Sequence, residues 1–290
     1  MSAADVPAGA GPAPEQLRAI PIRHWGRWVA AGAILLVVAW LVSALVGSHA
    51  IEWSVVRRYL FNKTILQGVR NTVVISIIAQ VAGIVLGVVF AVGRLSRNPV
   101  LTVTSSFYIW FFRGTPVLVQ LIFWFNAVPL VFKHVTIAVP FTHVVLYTTP
   151  MVKFMTPFMA AFLGLSLNEG AYMAEIVRAG ILSVNQGQTD AALALGMTPT
   201  LTMRRIVLPQ AMRVIIPPTG NEFISMLKTS SLASVVLYGE VLRRANDIYS
   251  TNLRVLELLI VASLWYLVLT SVATVGQYFL ERRYGRAYIR

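Results

Sequence analysis

No cysteine occurs in this 290-residue chain, which excludes disulfides, thiolate metal sites and cysteine nucleophiles. Charge is scarce as well: 12 % of residues are charged and only 11 are acidic. The four histidines, His24, His49, His134 and His143, fall in separate segments with no ligand spacing. No G-x-x-x-x-G-K-[ST], H-E-x-x-H or G-x-S-x-G run is present. The chain therefore reads as neither a nucleotide hydrolase nor a metal enzyme.

What is present is apolar. At 57 % hydrophobic residues the composition excludes an ordinary soluble domain. Several runs approach or exceed 18 residues, enough to cross a hydrocarbon core of about 30 Å as helices. A net charge of +13 would suggest nucleic acid in a soluble protein, but here much of it flanks apolar spans, as the positive-inside rule requires.

Residues 1–27 begin with an Ala-, Pro- and Gly-rich stretch without periodicity and read as a basic, disordered tail. Trp28 to Val46 is an apolar run of 19 residues, longer than a signal h-region of roughly 7–15, so it reads as a retained first span. Arg18, Arg23 and Arg27 place the N-terminus inside. Ile51 to Leu66 mixes aromatic, aliphatic and basic residues and suits a helix lying in the interface. Asn71 to Val92 is the second span, with Gly83 and Gly87 spaced for close helix approach. Ser105 to Phe132 is the third, interrupted by Arg113, Gly114, Thr115 and Pro116; Arg113 either faces a cavity or snorkels to the interface. A short outer loop with Lys133, Pro140 and Pro150 leads to the fourth span, Thr156 to Val184, which carries Glu175 and Arg178 near its inner end. Ala211 to Leu237 is the fifth, with a bend expected at Pro217 and Pro218. A charged loop, Glu240 to Asp247, precedes the sixth, Leu256 to Leu280, and a basic tail at 284–290. Six crossings put both termini inside.

Between the fourth and fifth spans lies a polar, basic island, Gly187 to Gln210. It reads as two short helices: Gln188 to Leu195, with Asp190 in its first turn and Gly196 as its stop, then a second capped by Thr198 with Pro199 at its first position, ending at Leu208 and Pro209. A loose helix-turn-helix would suggest DNA, but tethering by membrane spans at both ends makes groove insertion improbable. Ala191, Ala192 and Ala194 keep the first helix thin, while Leu193, Leu195 and Met197 offer apolar contact. Composition alone leaves open whether the island is a handle for another protein or a solvated loop.

The stretch AYMAEIVRAGILSVNQGQTDAALALG, then IVLPQAMRVIIPP, Asn221 and LKTSSLAS, resembles the membrane subunits of ABC importers for polar amino acids, the bacterial histidine, glutamine, arginine and opine type. Gly68, Thr72 and RGTPVLVQL, from Arg113 to Leu121, match the earlier half, so the resemblance covers residues 68–283. It implies an all-α integral membrane protein of about six transmembrane helices: a five-helix permease core, plus the extra helix and interfacial segment of residues 28–67. It also implies a coupling loop, residues 187–210, whose signature positions are Gly187, Gln188, Asp190, Ala191, Ala192, Gly196, Leu208 and Pro209. Asp190 stands where the family has Glu, and Lys228 to Ser231 departs from the usual Lys, acidic or amide, Thr-Ser. The implied partners are a separate ABC ATP-binding subunit that carries the ATP, an external substrate-binding protein, and a second permease subunit, identical or a sister chain. The implied location is the inner membrane, with no cofactor on this chain. Polar groups in or near the spans, Arg113, Glu175, Asn221, Glu222 and Lys228, are candidates for the substrate pathway. Glu175 and Arg178, three apart, also suit a structural pair. The different class to weigh is a stand-alone secondary transporter or channel, for which Glu222 is the candidate ion-binding carboxylate.

Overall fold

The computed structural model describes residues 25–47, 51–138 and 145–285. Most of the expected N-terminal tail, most of the C-terminal tail and Pro140 of the expected outer loop lie outside these residues. The chain divides into two units, Met1–Ile51 and Glu52–Arg290. The first contains α1 (Trp25–Gly47), apolar except for Arg27 near its start and Ser43, and long enough to cross a bilayer.

The second unit opens with α2 (Trp53–Leu60), shorter than the expected interfacial helix because Asn62 starts a new one by accepting from Thr64 N at 2.9 Å. That helix, α3 (Lys63–Arg94), spans the membrane. A second asparagine cap, Asn98, starts α4 (Pro99–Gly114), with Pro99 at its first turn. The chain breaks at Thr115 and Pro116, then resumes as α5 (Val117–Ile122), which continues through a π-helical turn to Val131. The two halves of this span meet at 101°. In place of the expected outer loop, β1 (His134–Ala138) pairs antiparallel with β2 (Val145–Pro150), so a two-stranded hairpin joins an otherwise helical molecule.

Thr156, accepting from Met159 N, caps α6 (Pro157–Leu182), the best-buried helix. Its small residues Ala160, Ala161, Gly164, Gly170, Ala171 and Ala174 let neighbours approach closely. The Gly83–Gly87 pair does the same from α3: a methyl group at Gly83 would collide with Glu169, and one at Gly87 with Met173. Next comes α7 (Gln186–Ala194), the first island helix. It begins two residues earlier than expected because Asn185 accepts from Gly187 N at 2.8 Å, so Asp190 falls beyond the first turn and accepts from Gln186 instead.

Thr198 caps the second island helix as expected, with Pro199 at its start. That helix does not end at Leu208 and Pro209. A π-helical turn, Met203–Val207, absorbs the crowding a proline creates one turn upstream and leads directly into α8 (Leu208–Thr229). This last helix remains helical through Pro217 and Pro218 and passes into a 3-10 segment, Ser230–Val236. The expected charged loop is a helix, α9 (Val241–Asn252), because Glu240 caps it by accepting from Leu242 N and Arg243 N, and Arg243 pairs with Asp247 one turn on. The Glu240 side chain is fully buried and also accepts from Tyr266 of the last helix, α10 (Val255–Gly285); burial pushes its carboxyl up to about 7.

By length and apolar composition α1, α3, α10 and the bent α4–α5 pair are membrane spans. At 26 and 22 residues, α6 and α8 reach about 39 and 33 Å at 1.5 Å per residue, but carry Glu169, Glu175 and Arg178, and Arg213, Glu222 and Lys228. The molecule is an all-α, multi-pass integral membrane protein in which two of the long helices bring charge into the bundle.

Candidate functional site

The break between α4 and α5 exposes backbone groups that a membrane interior cannot hydrate. Gln120, one turn into α5, satisfies them: its Nε2 donates to Phe112 O at 3.0 Å, Thr115 O at 3.1 Å and Thr115 Oγ1 at 2.7 Å. Asn168 of α6 adds a bond to Phe112 O at 2.8 Å. The bend is thus a built feature held by two side-chain amides, and it delivers Arg113 to the α6 surface.

Arg113 does not simply snorkel. Its guanidinium lies 5.2 Å from the Tyr172 ring centroid and 3.7 Å from Glu175 Oε1. Glu175 is more tightly held by two other arginines: Arg178 Nε lies 2.9 Å from Oε2, and Arg94 at the end of α3 donates to Oε1. One carboxylate therefore gathers three guanidiniums from α3, α4 and α6, and Arg113 is the loosest of them.

Beside this cluster lies a polar cavity of about 200 Å³ between α6 and α8. Asn168, Glu169 and Tyr172 line one wall; Glu222, Ser225 and Thr229 line the other. Glu169 accepts from Gln80 Nε2 of α3 at 3.0 Å. Neither Glu169 nor Glu222 joins an ion pair among the described residues. A larger groove of about 640 Å³ between α3, α6 and α8 has no charged side chain in its lining and offers no recognition for a polar molecule.

Of the five pathway candidates, Glu222 lines the cavity; Arg113 and Glu175 reach it through Tyr172. Asn221 and Lys228 are exposed and line no part of it. Glu169, Asn168, Tyr172 and Gln80 carry no role in the sequence reading. A carboxylate halfway along a span was the available signal for Glu169. Among the described residues no group of three or more His, Asp or Glu side chains gathers as a metal site.

The island forms a second candidate surface. Along α7 only Ala192 is buried, while Leu193 is 44 % and Leu195 85 % exposed. Gly196 ends the helix at φ +83°, a left-handed conformation that favours glycine. Asp190, Gln188, Gly187, Leu208 and Pro209 are also exposed, so every signature position except Ala192 faces solvent.

Residues 83–286 match the family described as binding-protein-dependent transport system inner membrane component. The arginine transport system permease protein ArgU of Corynebacterium glutamicum is 43 % identical over 96 % of this chain and 86 % of its own length. The glutamine transport system permease protein GlnP of Escherichia coli K12 is 32 % identical over 76 % of this chain and 92 % of its own. A solved structure described as an amino acid ABC transporter with histidines is 33 % identical, with a TM-score of 0.65 over 76 % of this chain and 94 % of that one. These relatives are transporter subunits by name.

Proposed function

We propose that this chain, which belongs to the family of inner membrane components of binding-protein-dependent transport systems, is the permease subunit of an ATP-driven importer for an amino acid with a cationic side chain. The observation that carries the substrate class is the cavity between α6 and α8, where Glu169 and Glu222 line one space and neither joins an ion pair among the described residues. A cationic side chain supplies the missing counter-charge, and Arg113, held only loosely by Glu175, takes the amino-acid carboxylate. The name of the ArgU relative points to the same class.

The chain does no chemistry of its own and needs no cofactor; ATP belongs to a partner subunit that grips α7. The exposed Leu193 and Leu195 seat in that partner, and Gly196 lets the chain turn back. ATP-driven closure of the partner moves α7 and switches the bundle between inward and outward access. A second permease chain completes the pathway, an external binding protein delivers the amino acid, and both termini face the cytoplasm of the inner membrane.

Proteoliposomes holding this chain with its ATPase and binding protein test the reading. ATP-dependent uptake of arginine or lysine should exceed that of neutral citrulline by at least about tenfold in kcat/KM. Equal uptake of citrulline would sink the substrate class. Uptake by the permease alone, without ATP, would identify a stand-alone carrier instead.

A further inference from the structure

The apolar groove between α3, α6 and α8 is as deep as half a bilayer. Its lining runs from Ile84 to Leu95 along α3 and just past its end, and from Leu208 to Thr219 along α8. Each run rises about 16 Å at 1.5 Å per residue, against about 15 Å for one leaflet of a hydrocarbon core of about 30 Å. Met173, Val177 and Ile215 form a buried floor, while the walls at Val88, Val92, Leu95, Leu208 and Met212 are exposed, so this chain leaves them uncovered. The two hydroxyls of the lining are spent within the chain: Thr219 Oγ1 donates to Ile215 O at 2.8 Å, and Ser96 Oγ accepts from Asn98 N at 3.1 Å.

The end of the groove nearest the island is basic. Arg97 follows Ser96, and Arg204 and Arg205 follow Met203; Ser96 and Met203 both line the groove. All three arginines are exposed, and none joins an ion pair among the described residues. Arg94, close by in the chain, is already held by Glu175. No Asp or Glu occurs from residue 53 to residue 168 or from residue 191 to residue 221, so neither segment carries its own counter-charge.

An apolar slot of one leaflet's depth, headed by exposed cations, has the complementary chemistry of an anionic phospholipid. An apolar groove gives water no hydrogen bonds, whereas an acyl chain fills it at no polar cost. A phosphate at the membrane surface is drawn by nearby arginines without needing one fixed geometry. A second copy of this chain fits the groove worse, because a two-fold contact sets a patch against itself and would bring the arginines of both copies together. We infer that the groove seats an acyl chain of one anionic phospholipid from the leaflet at the island end, with its phosphate beside Arg97, Arg204 and Arg205. That lipid touches α3, α6 and α8 at once, next to the turn that joins the second island helix to α8. Its binding therefore links the charge of the leaflet to the segment that follows the island.

The test uses the full chain, delipidated in detergent and titrated with phosphatidylglycerol, phosphatidylcholine or the soluble headgroup glycerophosphoglycerol, with bound molecules counted by native mass spectrometry. One phosphatidylglycerol per chain should bind saturably and at least about tenfold more tightly than phosphatidylcholine, and the headgroup alone should not bind. Arg97→Gln, and Arg204→Gln together with Arg205→Gln, should weaken phosphatidylglycerol by about fivefold per arginine and leave phosphatidylcholine unchanged. Val92→Trp fills the groove from its exposed wall and should abolish the saturable site; if it does not fold, Val88→Trp decides. Arg57→Gln with Arg58→Gln, on α2, should change nothing. Equal binding of the two lipids, or a preference that survives the arginine variants, would overturn the site. Tight binding of the headgroup alone would make it a site for a soluble anion, and a Val92→Trp chain that keeps its lipid but loses self-association would assign the groove to a second copy. Lipid counting involves neither uptake nor ATP, so this inference stands or falls separately from the substrate class.

Discussion

Arg113, at the end of α4, meets Tyr172 of α6: the guanidinium carbon lies 5.2 Å from the ring centroid, with Glu175 Oε1 3.7 Å from the guanidinium. The contact joins the three-arginine cluster to the cavity that Tyr172 lines. Replacing Arg113 with Gln keeps the length roughly but removes the charge. KM for the transported amino acid should rise about tenfold, reflecting the loss of a charge-assisted contact and a cation–π contact of about 1 kcal/mol. Initial uptake rates against substrate concentration measure it; an unchanged KM would confine Arg113 to a structural role.

Gln120 closes the carbonyls freed by the break between α4 and α5. Gln120→Leu preserves the volume and leaves Thr115 O and Oγ1 without their side-chain donor. A loss of about 1–3 kcal/mol follows for buried groups left unsatisfied. The melting midpoint of the purified variant should fall accordingly, and Gln120→Glu should not rescue it, because a carboxylate cannot donate.

The contact at Gly83 gives a steric test. Any side chain there meets Glu169 on α6. Gly83→Ala should cost about 1–3 kcal/mol as an overpacked helix interface, and Gly83→Leu should block folding in the membrane, both read by detergent-resistant melting. A Gly83→Leu protein of normal stability would show that the two helices do not pack at this register.

Glu240 lies outside the spans and its carboxyl is raised by burial to about 7, from an ordinary value near 4.5. Between these values the folded chain holds a proton that the unfolded chain has released. The Glu240 contribution to stability is therefore fully present below about 4.5 and lost as pH rises through about 7. Subtracting the melting curves of Glu240→Gln from those of the parent across this range isolates the group. The parent should gain on the variant as pH falls; the opposite slope would show that Glu240 is stabilised as the anion by Tyr266 and the α9 N-terminus.

Gly196 tests the handle. Its φ of +83° disfavours a branched residue, yet a side chain there meets open space. Gly196→Val should therefore cost only about 1–2 kcal/mol of stability while lowering substrate-stimulated ATP hydrolysis of the assembled complex about tenfold or more. Normal stimulation would show that the turn after α7 is not part of the grip.

Much of this was legible because it is local. Thr198, Pro199 and Gly196 act within one turn of themselves, and Arg178 pairs with Glu175 at the spacing one helix face dictates. Arg94 and Arg113 reach the same carboxylate from two other helices, and no spacing along the chain encodes that. The charged stretch after Glu240 reads as a loop by its charge, whereas the Glu240 cap and the Arg243–Asp247 pair are both helix signals. Glu169 shows the converse: its position in a span was readable, but its pairing with Gln80 depends on how α3 lies against α6.

The connectivity of α7 has a mechanical consequence. Three residues join it to α6, and the π turn at Met203–Val207 joins its partner helix to α8 without a break. Those two helices carry the opposing walls of the cavity, one with Glu169 and the other with Glu222. A displacement of α7 is thus transmitted to both walls of the cavity at once, and the width of the gap between them follows the position of one short helix.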